Sequence, residues 1–235
     1  MTRRTPTPAQ LLLTCEHGGN RIPRAYAHVF RGAEAVLASH RGWDPGTLQL
    51  AKLLARRLRR PLYATTWSRL LVEHNRSPSN PRIWSTYTAR LPRAERQQIL
   101  ERWWRPHRER VARAVADAAE RGRVVHIAVH SFTPELGGEV RNADVSVLYD
   151  SRRKQESRFC ERWMGLLRDL DPDLRIRYNY PYVGRADGLT TWLRRRYPAS
   201  RYLGIELEIN QARVAGPGWK RLQERIAASL GEAIA

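Results

Sequence analysis

Short apolar runs alternate with longer amphipathic stretches along this chain, and this alternation constrains its fold more than any other feature. In the stretch 46–59, Leu50, Leu54 and Leu58 recur at helical spacing and form an apolar face. Repeated strand–helix alternation predicts an α/β fold, with a mixed, mostly parallel sheet covered by helices on both faces. No linker or repeat interrupts the pattern, so we predict one three-layer domain over residues 1–235. The predicted strands are 10–15, 61–65, 69–73, 124–130, 144–149, 174–178 and 202–209, and the predicted helices are 46–59, 92–121, 154–170, 188–197 and 217–234.

The chain carries a net charge of +19, which is typical of proteins that attract nucleic acid or acidic small molecules. All of its 42 basic residues are arginines except Lys52, Lys154 and Lys220, and they are scattered along several predicted helices. Scattered arginines indicate solvated helix faces. We therefore expect no nucleic-acid partner, although a basic nucleic-acid-binding module remains an alternative.

The sequence also bears on location. No apolar run approaches the roughly 20 residues of a membrane span, and residues 1–8 are polar, without the apolar stretch of a signal peptide. Cys15 and Cys160 are the only cysteines, so no disulfide framework is expected. These features favour a cytoplasmic protein with no membrane partner.

Two histidines lie where a predicted strand runs out into a loop. His17 follows the apolar run 11–13, and His130 ends the run 124–130. Ligands of open α/β sheets bind outside the carboxyl ends of the strands, so these distant side chains could converge there. Imidazole is a common zinc ligand, and catalytic zinc keeps three protein ligands and one open position. The pair therefore suggests metal-assisted hydrolysis, whereas His126, deeper in the same strand, suits a packed residue.

Carboxylates could complete such a site. Glu206 and Glu208 alternate with apolar residues in the predicted strand 202–209 and so share one face. Inward-facing acids are costly to bury unless they are paired or bound to a cation, but an edge strand with a solvated face would give the same pattern. Asp44 could be a metal ligand or the N-cap of the following helix, and the cap is the commoner use.

Polar residues in two predicted loops could bind a substrate. Asn75 and Arg76 follow the predicted strand 69–73, and an arginine fork can grip a carboxylate with two hydrogen bonds. Spacing alone fits an exposed loop arginine equally well. The segment 180–191 contains Tyr182 and Arg185 and could line a pocket or form a plain turn before the next helix.

Taken together, these residues resemble the N-formylglutamate amidohydrolase family, which is similar in fold to the zinc carboxypeptidases and aspartoacylase. The resemblance spans about residues 10–212. Its ordered segments are CEHGGNRIP at 15–23, HRGWDPG at 40–46, EHNR at 73–76, HSFTP at 130–134, YPY at 180–182 and ELEI at 206–209.

The resemblance implies roles for these residues. It makes His17 and His130 ligands of one zinc ion, Asn75 and Arg76 the anchor of a substrate carboxylate, and Glu208 the general base. The carboxypeptidase pattern has a glutamate three residues after the first histidine, where this chain has Asn20. The predicted third ligand is therefore Asp44, with Glu16 as the alternative.

The resulting hypothesis is a zinc-dependent amidohydrolase that cleaves an N-acyl amino acid, with an N-formyl amino acid such as N-formylglutamate as the favoured substrate. Tyr182 and Arg185 are predicted to line the substrate pocket. Arg69 could stabilise the oxyanion, or it could be a surface arginine. A metal-free small-molecule binding protein on a hydrolase-like scaffold is the alternative from another class, because fold does not imply function.

Overall fold

The computed structural model describes residues 9–235, so the polar N-terminal segment 1–8 lies outside the described residues. Six strands form the main sheet and two short ones form a separate hairpin. The strands are β1 (Gln10–Cys15), β2 (Leu62–Ala64), β3 (Val124–Phe132), β4 (Glu135–Leu136), β5 (Glu139–Val140), β6 (Val145–Leu148), β7 (Ile176–Tyr178) and β8 (Tyr202–Asn210).

The main sheet has the order β2-β1-β3-β8-β6-β7 and is mostly parallel. Strands β2, β1, β3 and β8 run in the same direction, whereas β6 is antiparallel to β8 and β7 is parallel to β6. The two longest strands, β3 and β8, pair side by side in the middle of the sheet. The mixed, mostly parallel sheet predicted from the sequence is confirmed.

Helices cover both faces of this sheet. Helices α2 (Thr47–Leu58), α5 (Lys154–Leu170) and α8 (Trp219–Ile234) pack on one face, and α4 (Arg105–Arg121) and α6 (Leu189–Arg194) pack on the other. Side chains alternate between the two layers along β1, since Leu11 and Leu13 lie in one core and Leu12 in the other. The helices are α1 (Glu34–Ala38), α2 (Thr47–Leu58), α3 (Arg93–Ile99), α4 (Arg105–Arg121), α5 (Lys154–Leu170), α6 (Leu189–Arg194), α7 (Gln211–Val214) and α8 (Trp219–Ile234).

The helix predicted over 92–121 contains a π-helical turn, Leu100–Trp104, between α3 and α4. Pro106, at the start of α4, has no N–H to donate to the carbonyl of Arg102, so one helical hydrogen bond is missing there. The π-helical turn, which is wider than an α-helical turn, lies directly before this position. The turn carries Trp103 and Trp104 towards the loop that follows β2: His74 Nε2 lies 3.1 Å from the Trp103 carbonyl oxygen.

The prediction of a strand over 69–73 is wrong. These residues form turns and irregular backbone, and only an isolated bridge between Arg21 and Trp67 lies nearby. Leu70, Leu71 and Val72 are nevertheless buried, in a third apolar cluster that lies apart from the sheet. A short apolar run that is buried in such a cluster has the same pattern as a core strand, so periodicity could not distinguish them.

The sheet brings the predicted site residues together. His17 follows the end of β1, His130 lies near the end of β3, and Glu208 lies near the end of β8. These strands are parallel neighbours, so their carboxyl ends meet at one edge of the sheet. Within residues 9–235, the structure has no helix that is both long and apolar enough to cross a membrane.

Candidate metal centre and active site

Two histidines and one aspartate converge at the carboxyl edge of the sheet. Asp44 Oδ2 lies 3.1 Å from His17 Nδ1 and 3.1 Å from His130 Nδ1. All three side chains are buried, and one potential ligand atom from each lies within 4.8 Å of the others. This is the set of three residues that the sequence analysis predicted.

The loop before α2 places Asp44 in this cluster. The Asp44 amide donates to the His17 carbonyl over 3.0 Å. Gly46 follows with a φ of 81°, and a Cβ there would lie 2.5 Å from Val214 Cγ1, so this tight passage requires glycine. The Asp44 side chain does not cap α2, whose N-cap is Gly46. The alternative interpretation of Asp44 as a helix cap is therefore wrong.

Each histidine turns its other ring nitrogen towards a second carboxylate. His17 Nε2 contacts Glu73 Oε1, and His130 Nε2 lies 3.1 Å from Glu16 Oε2. Metal-binding histidines usually donate their second ring N–H to a carboxylate, which fixes the tautomer and leaves the first nitrogen free for the metal. The residues present therefore fit a divalent cation bound by His17, Asp44 and His130.

The two candidates for the third metal ligand lie at different positions. Asp44 lies between the histidines, whereas Glu16 lies behind His130 and next to His107, whose Nε2 is 3.6 Å away. Glu73 was not predicted from the sequence to be a partner of His17. A signal for it was present, because Glu73 opens the EHNR segment of the family resemblance.

The electrostatics of this cluster favour a cation. Burial lowers the pKa of His130, but Asp44 and Glu16 outweigh it and hold the pKa well above its ordinary value. Burial opposes ionisation of Asp44, yet His17, His130 and Arg69 keep the pKa of its carboxyl well below the usual range. The imidazoles of His17 and His130 thus lie among the ionised carboxylates of Asp44, Glu73 and Glu16. Such a site stabilises positive charge.

A cavity of ≈ 170 Å³ opens next to this cluster and contains most of the predicted site residues. Arg185 is not among its lining residues and is exposed at the surface, so the structure does not bring it to the site. The side chains that line the cavity are His17, Asp44, Arg69, Asn75, Arg76, His130, Ser131, Leu148, Tyr182, Val183, Ala186, Asp187, Glu206 and Glu208.

Both glutamates of β8 line the cavity, as their alternation predicted, but their surroundings differ. Glu206 is half-buried and accepts a hydrogen bond of 2.9 Å from Thr190 Oγ1. Glu208 is buried beside the histidines, and its Oε2 has no hydrogen-bond partner within the described chain. Burial raises the pKa of Glu208 to about 8. The two carboxyl groups therefore differ in burial and in their partners, and Glu208 is the one beside the histidines.

The backbone around Asn75 and Arg76 is held firmly. Arg108 Nη2 and Trp104 Nε1 donate to the Arg76 carbonyl over 2.9 and 3.1 Å. Asn75 Oδ1 accepts a 2.7 Å hydrogen bond from the amide of Leu189, and Arg76 Nη1 contacts the Asp187 carbonyl. Two distant segments, the π-helical turn with α4 and the start of α6, thus fix this pair at the cavity wall.

Arg69 lies in the cavity rather than on an outer surface. Its Nη1 donates to Asp44 Oδ1 over 3.0 Å, and its Nε donates to Glu73 Oε2 over 2.8 Å. The guanidinium therefore ties the aspartate of the candidate centre to the glutamate behind His17. About a third of the side chain remains exposed (30%), which leaves part of it open to the cavity.

Tyr182 forms the rim of the cavity and is 44% exposed. Arg141 Nη1 donates to its hydroxyl over 3.0 Å, and the same guanidinium lies 5.1 Å from its ring centroid. His126, in contrast, lies away from the cavity. Its ring nitrogens are 2.8 Å from Thr14 Oγ1 and 2.6 Å from the Tyr202 hydroxyl, as expected of a packed residue.

The fold and the site together define an α/β protein with a candidate metal centre at the carboxyl edge of its sheet. The sequence model of N-formylglutamate amidohydrolase matches residues 9–215, and the chain belongs to this family. No curated protein is similar enough in sequence to count as a match.

Two solved structures are similar to this one over nearly its full length. The gene product Atu2144 from Agrobacterium tumefaciens is 31% identical, with a TM-score of 0.79 over 96% of this chain and 89% of that chain. The N-formylglutamate amidohydrolase from Ralstonia eutropha JMP134 is 21% identical, with a TM-score of 0.70 over 97% of this chain and 94% of that chain. The second likeness extends to the fold alone.

Proposed function

We propose that this protein is a zinc-dependent amidohydrolase that hydrolyses the amide bond of an N-acyl amino acid, with an N-formyl amino acid such as N-formylglutamate as its substrate. Family membership supports the amidohydrolase activity. The convergence of His17, Asp44 and His130 beside Glu208 supports the metal-dependent chemistry and is the observation that carries the proposal.

His17, Asp44 and His130 would hold one zinc ion. When bound, zinc lowers the pKa of water towards about 7 and polarises the carbonyl of an amide. Glu73 and Glu16 support this role, because each fixes the ring of one histidine from behind.

Glu208 acts as the general base and then as the general acid. Its carboxylate accepts a proton from the attacking water, and the same proton is delivered to the nitrogen of the leaving amine. Attack forms the C–O bond and turns the carbonyl oxygen into an oxyanion, whose collapse then breaks the C–N bond as the nitrogen takes up the proton, so the products are a carboxylic acid (formic acid for a formyl substrate) and the free amino acid. The unpartnered Oε2 of Glu208 in the cavity supports this assignment.

Asn75 and Arg76 anchor the α-carboxylate of the substrate and thereby position the scissile amide. The hydrogen bonds to the Arg76 carbonyl and to the Asn75 side-chain oxygen support this role, because a rigid anchor loses little entropy on binding. Tyr182, at the rim, contacts the rest of the substrate. We do not assign Arg185 a part in binding, since it is exposed outside the cavity.

Arg69 stabilises the oxyanion that develops as the carbonyl is attacked. Its Nη1 and Nη2 each carry two hydrogens, and the structure uses Nη1 on Asp44 and Nη2 on Glu73. A second N–H on each nitrogen remains available to the cavity. The same contacts hold Asp44 and Glu73 in place, so Arg69 also positions the carboxylates of the centre.

The test combines metal analysis with a substrate panel. The purified protein should contain about one zinc per chain, and it should hydrolyse N-formyl amino acids faster than N-acetyl or longer N-acyl ones. His17→Ala and His130→Ala should each lose both metal and activity. Full metal retention in both variants would remove them as ligands, and a wild-type protein that binds substrate without metal or turnover would instead be the metal-free binding protein. The single domain over 1–235 and the cytoplasmic location stay predictions.

A further inference from the structure

A second cavity, of ≈ 300 Å³, lies apart from the catalytic cavity. It is formed by the loop after β1, the loop after β2 and the π-helical turn with the start of α4, and we call it the Arg–Trp cleft. It shares no lining residue with the catalytic cavity. The residues that line it are Arg21, Ala64, Thr65, Thr66, Trp67, Arg102, Trp103, Pro106, His107 and Arg110.

The Arg–Trp cleft has strong positive charge without matching carboxylates. Arg21, Arg102 and Arg110 are exposed, and none of them forms an ion pair within residues 9–235. Elsewhere on the surface, Arg57 and Arg105 do pair with neighbouring glutamates. Arg110 Nη2 donates to the Ala64 carbonyl over 3.4 Å, and its other N–H groups are not used by a carboxylate. Three guanidinium groups around one concavity can bind an oxyanion, because each offers several N–H donors in a fixed plane.

Aromatic rings form the apolar part of the Arg–Trp cleft. The rings of Trp67 and Trp103 meet edge to face with centroids 6.3 Å apart, and the Arg21 guanidinium lies 4.8 Å above Trp67. Both tryptophans are half-buried. A planar ring on the ligand could therefore contact indole while its charged group reaches the arginines.

A buried histidine forms part of the wall of the Arg–Trp cleft. His107 lines the cleft and is 3% exposed. Its Nε2 lies 3.6 Å from Glu16 Oε1, so the ring is turned towards the buried carboxylate rather than towards the three arginines.

We propose that the Arg–Trp cleft is a binding site for a small organic anion in which a carboxylate or phosphate is joined to an aromatic ring. The three arginines bind the oxyanion, and the two tryptophans contact the ring. This site is separate from the proposed hydrolysis and does not depend on it.

Isothermal titration calorimetry of the full-length, metal-loaded protein tests the proposal with four probes. Phenyl phosphate and benzoate carry both ring and anion and distinguish the phosphate from the carboxylate, methyl phosphate lacks the ring, and benzyl alcohol lacks the charge. Phenyl phosphate, benzoate or both should bind saturably and more tightly than methyl phosphate and benzyl alcohol. The affinity of the ring-bearing anion that binds should fall by about tenfold or more in the double variant Arg21→Gln/Arg110→Gln. The matched control Arg24→Gln/Arg113→Gln removes the same charge from exposed positions nearby and should bind as the wild type does.

Several results would overturn the proposal. Equal weakening in both double variants would mean general attraction to a protein of net charge +19. Weakening in Arg76→Ala alone would place the probe in the catalytic cavity, and the absence of saturable binding by both ring-bearing anions would mean that there is no site. If the double variant fails to fold, the single variant Arg102→Gln takes its place and should show the same selective loss.

Discussion

His130 and Glu208 are direct register partners on the neighbouring parallel strands β3 and β8. This pairing puts the proposed base beside a proposed metal ligand, whereas Glu206 lies one strand repeat further back. We therefore expect Glu208→Gln to lower kcat by about 10²–10⁴-fold while the protein keeps its metal. Kinetics with metal content measured on the same sample check this. Glu206→Gln is the matched control and should affect stability more than rate, and the reverse result would move the base to Glu206.

Asp44 is expected to be essential for metal binding. Its Oδ2 is shared between two imidazole nitrogens, and Asp44→Asn replaces one of its two anionic oxygens with an amide. The variant should lose most of its bound metal on dialysis, as measured by elemental analysis. Asp144→Asn is a suitable control, because Asp144 is equally buried but pairs with Arg175 and Arg213 away from the cavity. It should unfold more easily and keep its metal.

Glu16 is expected to act on the metal through His130. Removing a carboxylate that orients a metal-binding histidine typically weakens metal affinity by about 10–100-fold. Glu16→Gln should show this partial loss in a chelator competition assay, and Glu156→Gln, another fully buried glutamate, should show none. If Glu16→Gln abolished binding as completely as His17→Ala, Glu16 would itself be a ligand.

Arg76 is expected to set the preference for substrates with a free carboxylate. An unpaired charge left in a binding site costs about 2–5 kcal/mol, so Arg76→Ala should depress kcat/KM for a carboxylate substrate by at least tenfold and affect the matching amide much less. Arg185→Ala is the control, since Arg185 is exposed and does not line the cavity. Equal losses on acid and amide would contradict the anchoring role.

His126 is expected to make the protein less stable in mild acid. Burial lowers the pKa of His126 to about 4, with Arg194, His107 and His130 acting in the same direction against Glu16. In the unfolded chain, His126 takes up a proton near pH 6.5. The contribution of neutral His126 to the free energy of unfolding is therefore fully present above that pH and is lost as the pH falls towards about 4.

Urea unfolding of wild type and His126→Gln at pH 7.5 and pH 5 measures this effect. The free energy of unfolding should fall less in the variant, by an amount of the order of 2 kcal/mol. Both proteins contain the other histidines, so the contributions of those histidines to the free energy of unfolding cancel in the comparison. His28→Gln, at an exposed position, should keep the wild-type difference.

Local pattern predicted most of the secondary structure of this protein. Helix α5 runs over the predicted 154–170, and six of the seven predicted strands are present in the sheet. Burial on one or two faces sets the spacing of apolar residues over a few turns or a few strand residues, so the sequence carries this information directly. The stretch 69–73 differs, because its apolar residues are buried in a cluster of loop and helix side chains rather than in a strand.

The sequence also determined which residue types could perform the chemistry, through His17, His130 and the alternating glutamates of β8. Only the tertiary structure decided how they combine. It placed Asp44 between the histidines and Glu16 behind one of them, and it left Arg185 outside the cavity. The physical reason is that these contacts join residues dozens to more than a hundred positions apart, and the order of parallel strands creates that proximity. A sequence pattern reports which face a side chain occupies, but the neighbours on that face are set by the packing of the whole sheet.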